Sequence, residues 1–239
     1  MTENAASVRV VMEPEGDNNV IPVKSEAKPP VKGLYLIIAG AVLLALGVIT
    51  LAGVAVYIRS TNNYTRNAQK QLRAQWDQKP FPVRKAASLT AGSLSERADT
   101  SGPGAPVARL IVPRLNLDAI VMQLANLDDR ANLNRGPGHV PQTAYPGMPG
   151  NVFIVGHRTT YGAPFGRIDE LRNGDEIILV TAEGRYTYTV YEQRIVEPDD
   201  LSVLGQEGEP RVTLMACHPR FSASKRILAI GRLTGENTR

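Results

Sequence analysis

The chain has 239 residues but a single cysteine, a single tryptophan, four phenylalanines and three histidines. One cysteine excludes an internal disulfide and any cysteine-rich metal cluster. Three histidines confine imidazole chemistry to His139, His157 and His218. The excess of positive charge is small: 27 Lys and Arg against 23 Asp and Glu, a net +4. That balance tolerates an anionic surface without requiring one. Basic and aromatic residues are not interleaved, Cys and His do not follow finger spacing, and no Gly-rich phosphate loop occurs. Nucleic acid is therefore not an expected partner, and no cofactor is expected.

What is present is sharply divided along the chain. Residues 1–32 are polar and mixed in charge, with Pro22, Pro29 and Pro30, and read as a disordered tail. Gly33 to Ile58 is a run of 26 residues without a charge. As a helix it would reach about 39 Å, more than the roughly 30 Å hydrocarbon core of a bilayer. A cleavable secretory signal has a shorter apolar stretch behind a short basic start. The run therefore reads as a retained signal anchor, although Ala52, Gly53 and Ala55 could form a cleavage site. Lys24, Lys28 and Lys32 precede the run and Arg59, Arg66, Lys70 and Arg73 follow it, so charge leaves the orientation near balance.

Residues 59–106 read as a juxtamembrane helix and a flexible linker. Tyr64, Ala68, Leu72 and Trp76 recur every four residues, and Pro80 and Pro82 end that pattern. From Arg84 to Pro106 the chain is small and polar, a tether composition. Residues 107–239 carry the folded domain. Strand-like runs cover Val107–Val112, Ala119–Gln123, Asn151–Val155, Glu176–Thr181, Tyr186–Glu192, Val212–Ala216 and Ile227–Leu233. Only Phe165 to Leu171 reads as helical. Seven or so short strands with few helices predict a mainly β barrel or sandwich.

The lone thiol, Cys217, closes one strand run, and His157 follows another 60 residues upstream. Arg226 stands just before a third. Thiolate chemistry needs a base or cation beside the sulfur and a positive group for the oxyanion. His218 adjoins Cys217, but successive strand side chains point to opposite faces. His139 sits in Gly136-Pro137-Gly138-His139, read as a turn holding a hydrogen-bonded histidine. Arg158 and Arg220 compete with Arg226 for the oxyanion role. A zinc site of Cys217, His157 and His218 or His139 matches no ligand spacing. Glu197, Asp199, Asp200, Glu207 and Glu209 read as a solvated acidic loop rather than a calcium site. A buried, unreactive Cys217 in an anchored binding module is the alternative from the residues alone.

Thr213-Leu214-Met215-Ala216-Cys217-His218-Pro219 resembles the Thr-Leu-x-Thr-Cys signature of sortases, the membrane-anchored cysteine transpeptidases of Gram-positive bacteria. Val155-Gly156-His157-Arg158 resembles the segment with the sortase histidine, and Arg226, nine residues after Cys217, matches the sortase arginine. Leu171 to Ile177 and Val196 to Leu204 are also similar to family segments. The resemblance covers about residues 107 to 233. Cys217-His218-Pro219 and Gly136 to His139 are most like class E, the actinobacterial housekeeping group. Ala216 departs from the family's usual Thr, which touches on substrate preference. The resemblance implies an eight-stranded sortase-type β-barrel behind one transmembrane helix, with a cytoplasmic N-terminus and an extracellular catalytic domain. It implies Cys217, His157 and Arg226 as catalytic residues, with neither cofactor nor metal. The implied reaction is cleavage of a Leu-x-x-Thr-Gly-like signal, with Leu-Ala-x-Thr-Gly as the class E form, through a thioacyl-enzyme. The implied partners are sorting-signal peptides of secreted proteins and a peptidoglycan-precursor amine. A hydrolytic cysteine peptidase or cell-wall amidase is the alternative, as is a pilin-polymerising sortase, whose Asp-Pro-aromatic lid motif is absent from residues 59–106.

Overall fold

The structure, a computed structural model, describes residues 31–78, 102–206 and 208–238. The expected tail lies almost wholly outside the described residues, as does most of the expected tether. The chain divides into two compact units, residues 1–49 and 50–239. In the first, residues 31–49 are helical and their apolar side chains point outward, Leu36 being 75% exposed. They begin α1, Val31–Gln78. An 18-residue window of this helix has a mean hydropathy of 2.6 and none of it is covered by protein. A helix apolar all round and uncovered suits a membrane, not water. It is a candidate transmembrane span.

The second unit holds the remainder of α1 and a closed eight-stranded barrel. The strands are β1 Pro106–Val112, β2 Leu117–Gln123, β3 Gly138–His139, β4 Asn151–Val155, β5 Glu176–Val180, β6 Gly184–Val196, β7 Arg211–His218 and β8 Lys225–Thr238. They close in the order β1-β2-β3-β4-β7-β8-β6-β5. Two pairs are parallel, β2 with β3 and β4 with β7; the other pairs are antiparallel. Closure leaves no sheet edge to aggregate, as expected for a small all-β domain.

Each expected run forms a strand. The strand that the sequence does not announce is β3, only two residues long, with His139 inside it rather than in a turn. It is held by register: Met122 pairs with Gly138 and His139 with Ile154. Phe165 to Leu171, expected as a helix, contains only a three-residue 3-10 turn, Ile168–Glu170. Its apolar residues Phe165, Ile168 and Leu171 instead plug the barrel interior. Pairing also starts before Val107, since Gly104 donates to the Gln123 carbonyl at 2.8 Å.

Alternation divides the core into two clusters. The inward face of β1 supplies Ala108, Leu110 and Val112, and β6 supplies Tyr186, Tyr188 and Val190. From β4, β7 and β8 the inward residues are Val152, Ile154, Val212, Leu214, Ala216, Ile227 and Ala229. The opposite face of the same three strands carries Phe153, Val155, Met215, Leu228 and Ile230, joined by Leu124, Val140 and Val196. A sheet apolar on both faces must be covered on both or bind something.

A third, smaller cluster attaches α1 to the barrel within this unit. Leu72, fully buried, packs with Ile120, Met122 and Trp76. Gln69 completes the contact: its Oε1 accepts the Ile120 N–H at 2.8 Å and its Nε2 donates to the Ile120 and Arg135 carbonyls, each at 3.0 Å. Arg73 and Arg109 both bind Asp118, at 2.7 and 2.6 Å. Hydrogen bonding from Arg109, then Arg73, holds that carboxyl far below the usual carboxylate range.

Candidate active site

Three adjacent strands bring the predicted residues to one level. β4 and β7 run parallel, with Val155 opposite Met215. Gly156 continues the ladder by donating to the Met215 carbonyl at 3.0 Å. Two residues beyond this last pair come His157, just past the end of β4, and Cys217, still within β7. On the other side β8 runs antiparallel, and Cys217 pairs directly with Arg226. Directly opposed residues share a face. Cys217 and Arg226 thus lie on the face of Met215, Leu228 and Ile230, away from the barrel interior. All three predicted residues are partly exposed, as groups that must meet a substrate require.

His157 is held from two directions. Its Nε2–H donates to Asn134 Oδ1 at 2.9 Å, which leaves Nδ1 for proton transfer. The Tyr161 ring packs against the imidazole at a centroid distance of 5.0 Å. Burial, then the positive charge of Arg130, lowers the His157 pKa below its ordinary value. Asn134 follows the short helix α2, Arg130–Leu133, which Asp129 caps by accepting from the Asn132 N–H. Neither Asn134 nor Tyr161 could be singled out from sequence. One is 23 residues from His157 and lies in a loop without periodicity; the other is an ordinary turn tyrosine until its positive φ of 52° is seen.

The competing residues fall elsewhere. Arg158 is buried, pairs with Asp169 at 3.0 Å, and donates to the Cys217 carbonyl at 3.3 Å and to His218 Nδ1 at 2.9 Å. It props the Cys217–His218 peptide from behind. His218 thus faces Arg158 and not the thiol, as strand alternation requires. Arg220 is exposed and donates to the Gly166 carbonyl. Arg226 donates to the carbonyls of Ala223 at 2.8 Å and Lys225 at 3.0 Å, so the β7–β8 loop holds its guanidinium.

His139 is sealed. Only 1% exposed, it has Nδ1 3.0 Å from Gln123 Oε1 and Nε2 3.0 Å from the Ala144 carbonyl. Burial pushes its pKa down to about 4, so the ring is neutral near pH 7. Ala216, where a hydroxyl residue was the expectation, points into the barrel interior at 3% exposure. Its methyl group affects core packing rather than contact with a substrate. Among the described residues, no group of three or more His, Cys, Asp or Glu side chains is arranged to hold a metal.

Comparison with known proteins agrees with this fold. The chain is 28% identical over 206 residues to Sortase D of Bacillus subtilis, covering 83% of this chain and 96% of that protein. The solved structure of Sortase E1 from Streptomyces coelicolor, with a tripeptide in its active site, superposes with a TM-score of 0.52 at 27% identity, over 58% of this chain and 94% of that one. A Clostridium perfringens Sortase D5 transpeptidase shares the fold, with a TM-score of 0.58 at 24% identity over 71% of this chain and 99% of the other. The family described as the sortase domain matches residues 110–234, more than half of the 239 residues, and the chain belongs to the sortase family of transpeptidases.

Proposed function

We propose that the protein is a membrane-anchored cysteine transpeptidase that cuts a Leu-x-x-Thr-Gly-like sorting signal between Thr and Gly and transfers the Thr acyl group to a peptidoglycan-precursor amine. In this reading α1 anchors the chain once, with the N-terminus cytoplasmic and the barrel extracellular. The observation that carries it is the direct pairing of Cys217 with Arg226 across β7 and β8, with His157 two residues past the end of the neighbouring β4, beside an apolar outer face.

The Cys217 thiolate attacks the Thr carbonyl carbon. The Arg226 guanidinium stabilises the oxyanion that forms, and the intermediate collapses as His157 protonates the departing Gly amine. An incoming amine then attacks the thioester, His157 accepts its proton, and Cys217 leaves as the thiolate. Because the leaving group is an amine, a proton donor is indispensable.

The outer face supports the reading of the peptide. A depression there is lined by Asn151, Tyr191, Val203, Thr213, Leu228 and Ile230 together with the polar Glu192, Arg194, Ser202 and Arg211, so its floor is apolar and its rim charged. Asn151 fixes its wall, since its Nδ2 donates to the Val203 carbonyl at 3.0 Å and its Oδ1 accepts from Thr213 at 2.8 Å. Thr213 lies four residues before Cys217 on β7, about 13 Å along the strand. An extended signal spans about 10 Å from its Thr to its Leu. With the Thr carbonyl over the thiol, the Leu therefore falls short of Thr213 and reaches only the near end of the depression at Leu228, which pairs with Met215. Cys217-His218-Pro219 and Gly136 to His139 favour class E and a Leu-Ala-x-Thr-Gly signal, although the similar proteins also include a class D sortase.

The test is intact-mass analysis of the full-length protein in detergent after incubation with a Leu-Ala-x-Thr-Gly peptide, with and without an added amine. The expected outcome is a thioacyl adduct on Cys217 that the amine converts to a transpeptidation product. A hydrolysed peptide whose yield ignores the amine would establish the peptidase alternative instead.

A further inference from the structure

The catalytic histidine of this reading stands between two contacts that both lead back to α1. On one side is Asn134. Its side chain accepts the His157 Nε2–H, and its own backbone carbonyl accepts the Thr65 hydroxyl at 2.7 Å. Thr65 is 6% exposed, and its hydroxyl also lies 3.2 Å from the Thr61 carbonyl one helical turn back. The shorter of the two contacts leaves the helix for the loop. The next residue in that loop, Arg135, accepts from Gln69. Gly136 follows, where a side chain would collide with the Gln69 carboxamide. The loop that carries Asn134 is thus fitted to the helix over three successive residues.

On the other side is the turn Tyr161-Gly162-Ala163, all three at positive φ. Two of these are not glycine, and such backbone persists only where its surroundings hold it. The Gly162 N–H donates to Asn62 Oδ1 at 2.8 Å. The Tyr64 ring meets the Tyr161 ring edge-on at 6.4 Å, and Tyr161 in turn lies against His157. Asn62, Tyr64, Thr65 and Gln69 occupy two consecutive turns of one helix and reach both supports of one imidazole.

We infer that residues 61–72 of α1 are a built-in part of the active site: they hold Asn134 and Tyr161 against His157, with Thr65 and Asn134 as positioning residues. This rests on the reading of His157 as the acid and base of the reaction. The helix that leaves the candidate membrane span therefore completes the site. Through Asn134 it fixes the Nε2–H and so the face that Nδ1 presents, while the apolar seat of Leu72 and the Gln69 clasp supply the rigidity. A chain beginning after Gln78 would keep Cys217, His157 and Arg226 but lose the helix contacts that hold both supports of the imidazole.

The test uses the full-length protein in detergent, with a sorting-signal peptide and an amine acceptor. Four chains are compared with wild type: Thr65→Val, Thr65→Ser, Asn134→Ala and the double Thr65→Val with Asn134→Ala. Loss of one neutral hydrogen bond corresponds to about 2–13-fold. Thr65→Val should lower kcat by that factor with KM unchanged, and Thr65→Ser should restore it. The double variant should be no worse than Asn134→Ala alone, since the two act in series. Asn62→Ala, at a half-buried position that removes no apolar packing, should lower kcat in the same direction and serves if Thr65→Val does not fold. Wild-type kcat in Thr65→Val and Asn62→Ala would overturn the inference, as would multiplicative losses in the double variant or a change in KM alone. His157→Ala in the same assay separates the two failures: if it is inactive while Thr65→Val is unimpaired, the helix has no such role and the reading of His157 stands. An active His157→Ala would overturn that reading itself.

Discussion

His139 and His157 are delivered by neighbouring strands, yet their surroundings differ in every respect that decides chemistry. His139 is packed into β3 with both ring nitrogens facing oxygen atoms and the Tyr145 ring 4.8 Å away. His157 stands past the end of β4, half-buried, with Nε2 anchored on Asn134. Burial lowers the pKa of both, that of His139 down to about 4, and at His157 the positive charge of Arg130 adds to the lowering. The sealed ring rigidifies the junction of β2, β3 and β4. The anchored but open ring keeps one nitrogen that can exchange a proton with a substrate. A histidine's use is therefore set by what occupies its second nitrogen, not by its presence in a motif.

The largest effects that would break this contrast lie at the open site. Cys217→Ala should abolish both cleavage and the thioacyl adduct. His157→Ala should lower kcat by about 10²–10⁴, the usual range for loss of a general acid and base, measured as steady-state peptide cleavage. Cleavage by His157→Ala within a few-fold of wild type would erase the distinction between the two histidines. Arg226→Lys keeps the charge but loses the planar fork, and a loss of about 10²–10³ in kcat is expected, the size of an oxyanion donor. His218→Ala should retain more activity than His157→Ala, because its ring faces Arg158.

The sealed site predicts losses of stability rather than of activity. His139→Ala leaves a cavity and removes the ring's hydrogen bonds to Gln123 and the Ala144 carbonyl, which should cost about 2–4 kcal/mol by denaturant melt. Its folded fraction should still form the adduct. The pH dependence has a defined sign. The unfolded chain takes up the His139 proton near pH 6.5 and the folded chain only near 4, so protonation favours unfolding between those values. Stability should fall by up to about 3 kcal/mol as pH drops from about 6.5 to about 4, and His139→Gln should flatten that slope in a series of thermal melts. The smallest effect sharpens the comparison at the open site. Arg130→Gln removes a positive charge that lowers the His157 pKa, so the pH profile of kcat/KM should move upward. High salt should shrink that shift, because Arg130 is exposed.

Much of the barrel was legible because strand periodicity is local. The alternation Tyr186-Thr187-Tyr188-Thr189-Val190 sets its own inward face, and Tyr186, Tyr188 and Val190 are buried as the pattern requires. β3 was not legible, because two residues carry no period and only pairing with Met122 and Ile154 makes them a strand. The 165–171 stretch misled for a related reason. Its apolar spacing at Phe165, Ile168 and Leu171 suits a helix, but the barrel mouth required a plug, and one 3-10 turn satisfies both.

The candidate site divides in the same way. A lone thiol, an imidazole and a guanidinium each sat at the edge of an apolar run and drew attention to Cys217, His157 and Arg226, but Arg158 and Arg220 competed with Arg226 until the resemblance to sortases chose among them. The absence of charge from a 26-residue window was enough to mark a stretch fit for a membrane. Asn134, Tyr161 and the helix residues Asn62, Thr65 and Gln69 were beyond reach. A polar side chain that bonds a partner 69 or 100 residues away leaves no local pattern. Nor could sequence tell which face of the barrel Ala216 would occupy, or that Arg158 would be buried behind the nucleophile's peptide. Periodicity and composition act between near neighbours in the chain and so are written in the sequence; register, closure and the orientation of a lone polar group arise only when distant segments pack, and those the tertiary structure decided.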